Sequence, residues 1–171
     1  MKCKCCGKDI GLFTLDIAYE LPDVVWALPE NERETKAHYN SDLCQYNDSY
    51  YIRGIALIPI NETNTSFGWG LWVEVNKKTF NKYLEIYEVD GTHKPAEESL
   101  IANTPLKYEN ANNLKAKIQF CSPNERPELI FEENDYKLSQ EQLNGISVER
   151  VHALNRNISK QITLTDRQLL A

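Results

Sequence analysis

The stretch Leu43 to Val75, LCQYNDSYYIRGIALIPINETNTSFGWGLWVEV, is the densest run of aromatic and β-branched residues in the chain. Such side chains suit a pleated, half-buried surface, so the stretch reads as sheet. Asn47-Asp48 is a turn signal dividing a short strand, Cys44 to Tyr46, from a long one, Ser49 to Ile60. On the period-2 rule Tyr51, Arg53, Ile55 and Leu57 share one face, and Tyr50, Ile52, Ala56 and Ile58 share the other. Both faces are largely apolar, so both are expected to be covered. Pro59 lacks a backbone donor and closes the strand or sits at an edge. A polar connection, Asn61 to Ser66, leads to a second strand from Phe67 to Val75. Phe67, Trp69, Leu71, Val73 and Val75 line one side of it, and Gly68, Gly70, Trp72 and Glu74 line the other.

Working outward, Asn76 is an N-cap for a helix over Lys77 to Tyr87, with Phe80, Tyr83, Leu84 and Tyr87 at helical intervals. Leu114 to Phe120 and Glu128 to Glu132 form a second hairpin around Pro123-Asn124, and a short strand is expected near Leu100 to Ala102. Ser139 to Gly145 is a short helix with serine as cap and glycine as terminator. Another helix starts at Ser147, with Val148, Val151 and Leu154 as its apolar stripe and His152 off that stripe, on the surface. Upstream, Leu12 to Tyr19 is a short strand or extended arm, and Pro22 to Leu28 is a helical turn whose Trp26 packs on the sheet. The charged stretch Pro29 to Glu34 reads as a solvated face. Strand neighbours joined by tight turns, without alternating strand and helix units, predict a single α+β domain over residues 1–155, mainly antiparallel sheet with helices packed on it. Residues 156–171 read as a C-terminal tail.

With 171 residues, 42% of them hydrophobic and 26% charged, the chain has the composition of one ordinary globular domain. Its 19 basic against 25 acidic residues give a net charge of −6 with no Lys/Arg run, which disfavours nucleic acid as a partner. No apolar run is long enough to cross a bilayer and no signal-peptide core precedes Cys3, so the expectation is a cytoplasmic protein without a membrane partner.

The chemistry-bearing motif is Cys3-Lys4-Cys5-Cys6-Gly7. Cys3 and Cys6 form a C-x-x-C whose thiolates share one side of a tight turn, and the glycine lets the backbone pass beneath a metal. This is half of a tetrahedral zinc site. Cys44, on the nearest ordered hairpin, is the expected third ligand, with Cys5, His38 or water in the fourth position. The plain alternative is a group of thiols holding nothing. A binding surface is expected from Arg53, Trp69 and Trp72 on the central strands, set against buried tryptophans and an arginine tied to a carboxylate, Glu74 being the first candidate. No H-E-x-x-H, paired histidine or nucleophile elbow is present, so no catalytic residue is assigned.

These landmarks together resemble a bacterial family, domain-of-unknown-function family 2199. The resemblance rests on Cys3-x-x-Cys6-Gly7, Ser41-Asp42-Leu43-Cys44, Tyr51-Ile52-Arg53-Gly54 with Ile58-Pro59, and Gly68-Trp69-Gly70-Leu71-Trp72-Val73. It continues through Glu125-Arg126-Pro127 and the segment Leu138-Ser139 to Gly145-Ile146-Ser147. Where that pattern carries a histidine shortly after the glycine, this chain has Lys8-Asp9-Ile10-Gly11. The expected function is a zinc-stabilised binding module for a protein or small molecule. The alternative is a metal-dependent hydrolase with an open zinc position.

Overall fold

The structure, a computed structural model, describes residues 1–156; of the tail expected over 156–171, all but Arg156 lies outside the described residues. Among the described residues the strands are β1 (Asp16–Ala18), β2 (Ala37–Tyr39), β3 (Leu43–Tyr46), β4 (Ser49–Pro59), β5 (Ser66–Val75), β6 (Glu97–Ile101), β7 (Lys115–Gln119) and β8 (Glu128–Phe131). The helices are α1 (Asp23–Trp26), α2 (Glu30–Lys36), α3 (Lys77–Ile86), α4 (Lys137–Asn144) and α5, helical over 148–156. No described helix is long and apolar enough to cross a membrane.

The α+β class agrees with the reading, but the sheet is not an open antiparallel one. Strands β4, β5, β6, β7 and β8 pair in that order, and β8 returns to β4, closing a barrel. Four of these pairings are antiparallel; β8 meets β4 in parallel, through Ile55 opposite Glu128. The exception follows from parity. Direction alternates at each antiparallel step, so an odd ring of strands closes only if one neighbouring pair runs the same way. β1 adds to β5 in parallel, with Asp16 opposite Gly68 and Ala18 opposite Gly70, and β3 and β2 continue antiparallel from β4.

The period-2 faces are as read. Ile52, Ala56, Ile58, Phe67, Trp69, Leu71, Val73 and Val75 point into the main core, joined by Ala116, Ile118, Leu129 and Phe131. The opposite face carries Tyr51 and Trp72, which build a second core with Leu21, Val25, Ala37 and Cys44. The turn at Asn47-Asp48 is present, with Asn47 in the left-handed region (φ 51) and Tyr46 paired to Ser49. Asn76 caps α3 by accepting from the Thr79 N–H at 2.8 Å. Of the expected stripe on α3, Phe80 and Tyr83 are buried whereas Leu84 and Tyr87 are exposed.

Two local readings are corrected. Serine does not cap α4: Tyr136 occupies the N-cap and Ser139 lies buried inside the helix, while Gly145 does end it in a left-handed conformation (φ 75). Trp26 does not pack on the sheet but is about half exposed beneath the Arg33 guanidinium, 4.6 Å from the ring centre. The charged stretch from Glu30 is a helix, α2, that buries none of its residues and so is the solvated face expected of it; its acidic first turn and basic last turn suit the helix dipole.

Barrel closure places a strict demand on Gly54. A Cβ there would stand 2.7 Å from the Leu129 side chain and 2.8 Å from the Pro127 carbonyl oxygen, where β8 returns to β4. The oxygen is backbone and also accepts the Ile55 N–H at 2.8 Å, so it cannot give way cheaply. Gly54→Ala is therefore expected to destabilise by about 1–3 kcal/mol, the range for overpacking a filled core. A urea midpoint equal to the parent's would contradict this account of the closure.

Candidate metal centre

The first ten residues form a small hairpin around the cysteine turn. Lys2 bridges to Asp9, the Cys3 N–H donates to the Lys8 carbonyl at 2.8 Å, and the Gly7 N–H donates to the Cys3 carbonyl at 2.8 Å. Gly7 adopts φ +70 with open space where a Cβ would sit, so the backbone angle rather than crowding calls for glycine. The turn gathers the three thiols, Cys3 buried and Cys5 and Cys6 exposed.

The fourth donor arrives from the other end of the described chain. His152 on α5 points its Nδ1 at the three sulfurs, 2.9 Å from Cys5 Sγ, 3.4 Å from Cys3 Sγ and 3.5 Å from Cys6 Sγ. Its ring is held by stacking on Phe13, with centroids 5.1 Å apart, and α5 is tied to the turn where the Lys4 N–H donates to Glu149 Oε1 at 2.7 Å. The donor atoms of Cys3, Cys5, Cys6 and His152 all lie within 4.8 Å of one another, a group able to hold a metal ion. Tetrahedral zinc with sulfur at about 2.3 Å has S···S edges of roughly 3.8 Å and S···N edges of roughly 3.5 Å. The Cys3 and Cys6 distances to His152 meet the second figure. Cys3 and Cys5, whose sulfurs stand 2.8 Å apart, would separate by about 1 Å to meet the first.

These thiols share their protons unequally. The hydrogen bond from Cys5 draws the Cys3 thiol down to about 6 against the effect of its burial, with His152 and Cys6 adding to the pull. The same bond, followed by burial and the neighbouring thiolates, pushes Cys5 up to about 11. A first thiolate thus forms readily; a second needs a cation to form beside it.

Of the expected ligands, Cys3 and Cys6 come together and Cys44 does not. Cys44 faces the second core among Tyr51, Trp72 and Ala37, where burial pushes its thiol up to about 12. Its place near Cys3 was inferred from chain order, whereas β3 turns it to the opposite side of the central strands. His38 is exposed on β2, opposite Gln45. The sequence places His152 on the surface because it leaves the apolar stripe of its helix. What uses its off-stripe position is the docked N-terminal turn, and nothing in the local sequence signals that contact.

The expected binding surface is corrected as well. Trp69 and Trp72 are buried, on opposite faces of β5 and in different cores. Arg53 is partly buried and forms no ion pair among the described residues. Its Nη1 donates to the Ser41 carbonyl at 3.3 Å, while Glu74 instead accepts from the Ser49 hydroxyl at 2.7 Å. The nearby carboxylate, Asp42, is occupied: it accepts from Arg126 Nε at 2.9 Å, from the Tyr87 hydroxyl at 2.9 Å and from the Ser41 hydroxyl at 2.8 Å.

Burial raises the Asp42 carboxyl, but the bonds from Ser41, Tyr87 and Arg126 outweigh it and hold the group below the usual carboxylate range. A depressed folded-state pKa gives stability that is complete above the unfolded value of about 3.9 and is lost as pH falls through the folded one. Arg126→Gln is thus expected to cost about 0.2–1 kcal/mol at neutral pH, a cost that shrinks below about pH 4 as Asp42 protonates. Urea titrations across pH check this, and a difference independent of pH would contradict it.

Residues 2–146 match the model of a protein family described as an uncharacterized protein conserved in bacteria (DUF2199). The match takes in the three cysteines and stops short of His152. No curated protein and no solved structure matches the chain.

Proposed function

The chain belongs to this bacterial family, and from that premise we propose that it is a zinc-stabilised binding module in which Cys3, Cys5, Cys6 and His152 hold one zinc ion. The observation that carries the reading is the convergence of four soft or borderline donors, three from the N-terminal turn and one from α5, within 4.8 Å. Thiolate and imidazole in a compact four-donor group suit zinc better than magnesium or calcium, which take oxygen. Four protein donors fill a tetrahedron, which supports a structural role, since catalytic zinc keeps a position for water or substrate. The metal would staple the N-terminal turn to α5. The five cysteines are free thiols, which supports a reducing compartment, and the cytoplasm is the location proposed.

One feature favours the alternative of a metal-dependent hydrolase with an open zinc position. Cys5 and Cys6 are adjacent and both exposed, so if only one of them ligates, water takes the fourth place.

Elemental analysis of protein purified without added metal tests the proposal. The expected result is one zinc per chain, retained in Cys44→Ala and absent from the Cys3→Ser/Cys6→Ser double variant. Substoichiometric zinc in the parent, or equal zinc in parent and double variant, would overturn it.

A further inference from the structure

The landmark segments Ser41-Asp42, Arg53-Gly54 and Glu125-Arg126-Pro127, which the metal centre does not use, meet at one place. The Arg53 N–H donates to the Asp42 carbonyl at 2.9 Å and the Ile55 N–H to the Pro127 carbonyl at 2.8 Å, fastening the other two segments to β4, which carries Arg53-Gly54. Beside them lies a cleft of about 970 Å³ whose lining includes Asp42, Arg126, Tyr83, Tyr87, Ile55 and Leu57. Arg53 stands on the same face of β4 as Ile55 and Leu57, by the alternation of the strand, next to the cleft and not on its lining.

Charge at this place is unbalanced. Two guanidiniums stand near one partly buried carboxylate, and Asp42 spends its acceptors on Arg126, Tyr87 and Ser41. Among the described residues the Arg53 side chain is left with a single long bond to the Ser41 carbonyl, and its Nε is buried without a hydrogen-bond partner. Burial, then the nearby Arg126 charge, lower the Arg53 pKa, while Asp42 and Glu20 act the other way. A partly desolvated guanidinium in this state has donors left to place, and the planar fork of arginine matches a carboxylate. The rest of the lining restricts which anion fits. Among the described residues Arg126 is the one basic group on it, alongside Asp16, Glu88, Glu125 and Glu128. A dianion such as phosphate meets repulsion there, whereas a carboxylate carrying its own cation does not.

We infer that this cleft binds a small zwitterionic carboxylate with the chemistry of a free amino acid, its carboxylate taken by the Arg53 and Arg126 guanidiniums and its ammonium by the lining acids. The inference rests on the binding half of the proposed function and not on zinc. The apolar walls at Ile55, Leu57, Tyr83 and Tyr87 suit a ligand with a hydrophobic side chain.

The test follows the arginine Nε–Hε signals of the 15N-labelled, zinc-loaded full chain by NMR, assigned through Arg53→Lys and Arg126→Gln. L-phenylalanine, acetate and inorganic phosphate are the probes. Phenylalanine is expected to shift both signals saturably, acetate more weakly and phosphate least. Arg126→Gln, at an exposed position, is expected to keep the folded amide spectrum and weaken phenylalanine binding by about tenfold or more, the scale of a charged hydrogen bond. Arg53→Lys keeps the charge but loses the fork, and weakens it too. Absence of a saturable shift with phenylalanine, tighter binding of phosphate, or parental affinity in Arg126→Gln would overturn the inference. Zinc content read on the same samples separates the two proposals: bound phenylalanine without zinc sinks the metal reading alone, and zinc without binding sinks this one alone.

Discussion

Stripping the metal from the parent protein with a chelator is expected to lower its thermal midpoint by on the order of 10 °C and to leave the Cys3→Ser/Cys6→Ser variant unmoved. The size follows from linkage. A ligand that binds only the folded chain, at a free concentration a thousandfold above Kd, adds about 4 kcal/mol. In a domain of this length each kcal/mol moves the midpoint by about 2–4 °C. Zinc-finger peptides reach apparent binding energies of about 10–16 kcal/mol, so a four-donor site need retain only part of that affinity. The stabilisation has a structural route. The turn carries the buried Cys3, and Ile10, Phe13 and Leu15 just after it pack on the main core, so releasing the turn from α5 loosens core contacts at both ends of the described chain. His152→Ala is expected to behave as the stripped parent does and to lose the Phe13 stacking in addition. Differential scanning calorimetry with and without chelator reads both effects; an unmoved parent midpoint would leave the thiols without a structural metal.

Trp72→Ala is expected to cost about 3–5 kcal/mol, the range for removing a large aromatic from a core. Trp72 is fully buried and is the largest member of the second core, packed with Leu21, Val25, Ala37, Cys44 and Tyr51. Its indole N–H donates to the Tyr19 carbonyl at 3.0 Å, and its backbone N–H donates to Asn103 Oδ1 at 2.8 Å. Truncation leaves a cavity between the central strands and the α1 and β2–β3 cover, and strips the Tyr19 carbonyl of its donor. Trp72→Phe keeps most of the packing but not that donor, and is expected to cost about 1–3 kcal/mol. Urea unfolding followed by circular dichroism gives both numbers. A recognition surface built on this tryptophan would instead predict near-parental stability, so an alanine variant within about 0.5 kcal/mol of the parent would return Trp72 to a surface role.

What the sequence determined by itself is what depends on neighbours along the chain. Alternation assigned the faces of β4 and β5, Asn47-Asp48 marked the β3–β4 hairpin, Asn76 capped α3, Gly145 ended α4, and Cys3-x-x-Cys6-Gly7 announced the thiol cluster. Each of these is a local rule of backbone angle, side-chain period or turn chemistry. Tertiary structure decided what depends on how distant elements dock. Closure of β8 onto β4 arises from strand count and direction, and leaves no periodic trace. Cys44 sits on β3 and faces the other core from Cys3, because neighbouring positions on a strand point to opposite sides. Arg53 and Glu74 occupy adjoining strands, yet Ser49 takes the carboxylate that strand proximity offered to the arginine. His152 completes the thiol cluster from far along the chain. The turn of its helix takes it off the apolar stripe, and only the docking of the N-terminal hairpin beside α5 brings that polar position against the thiols.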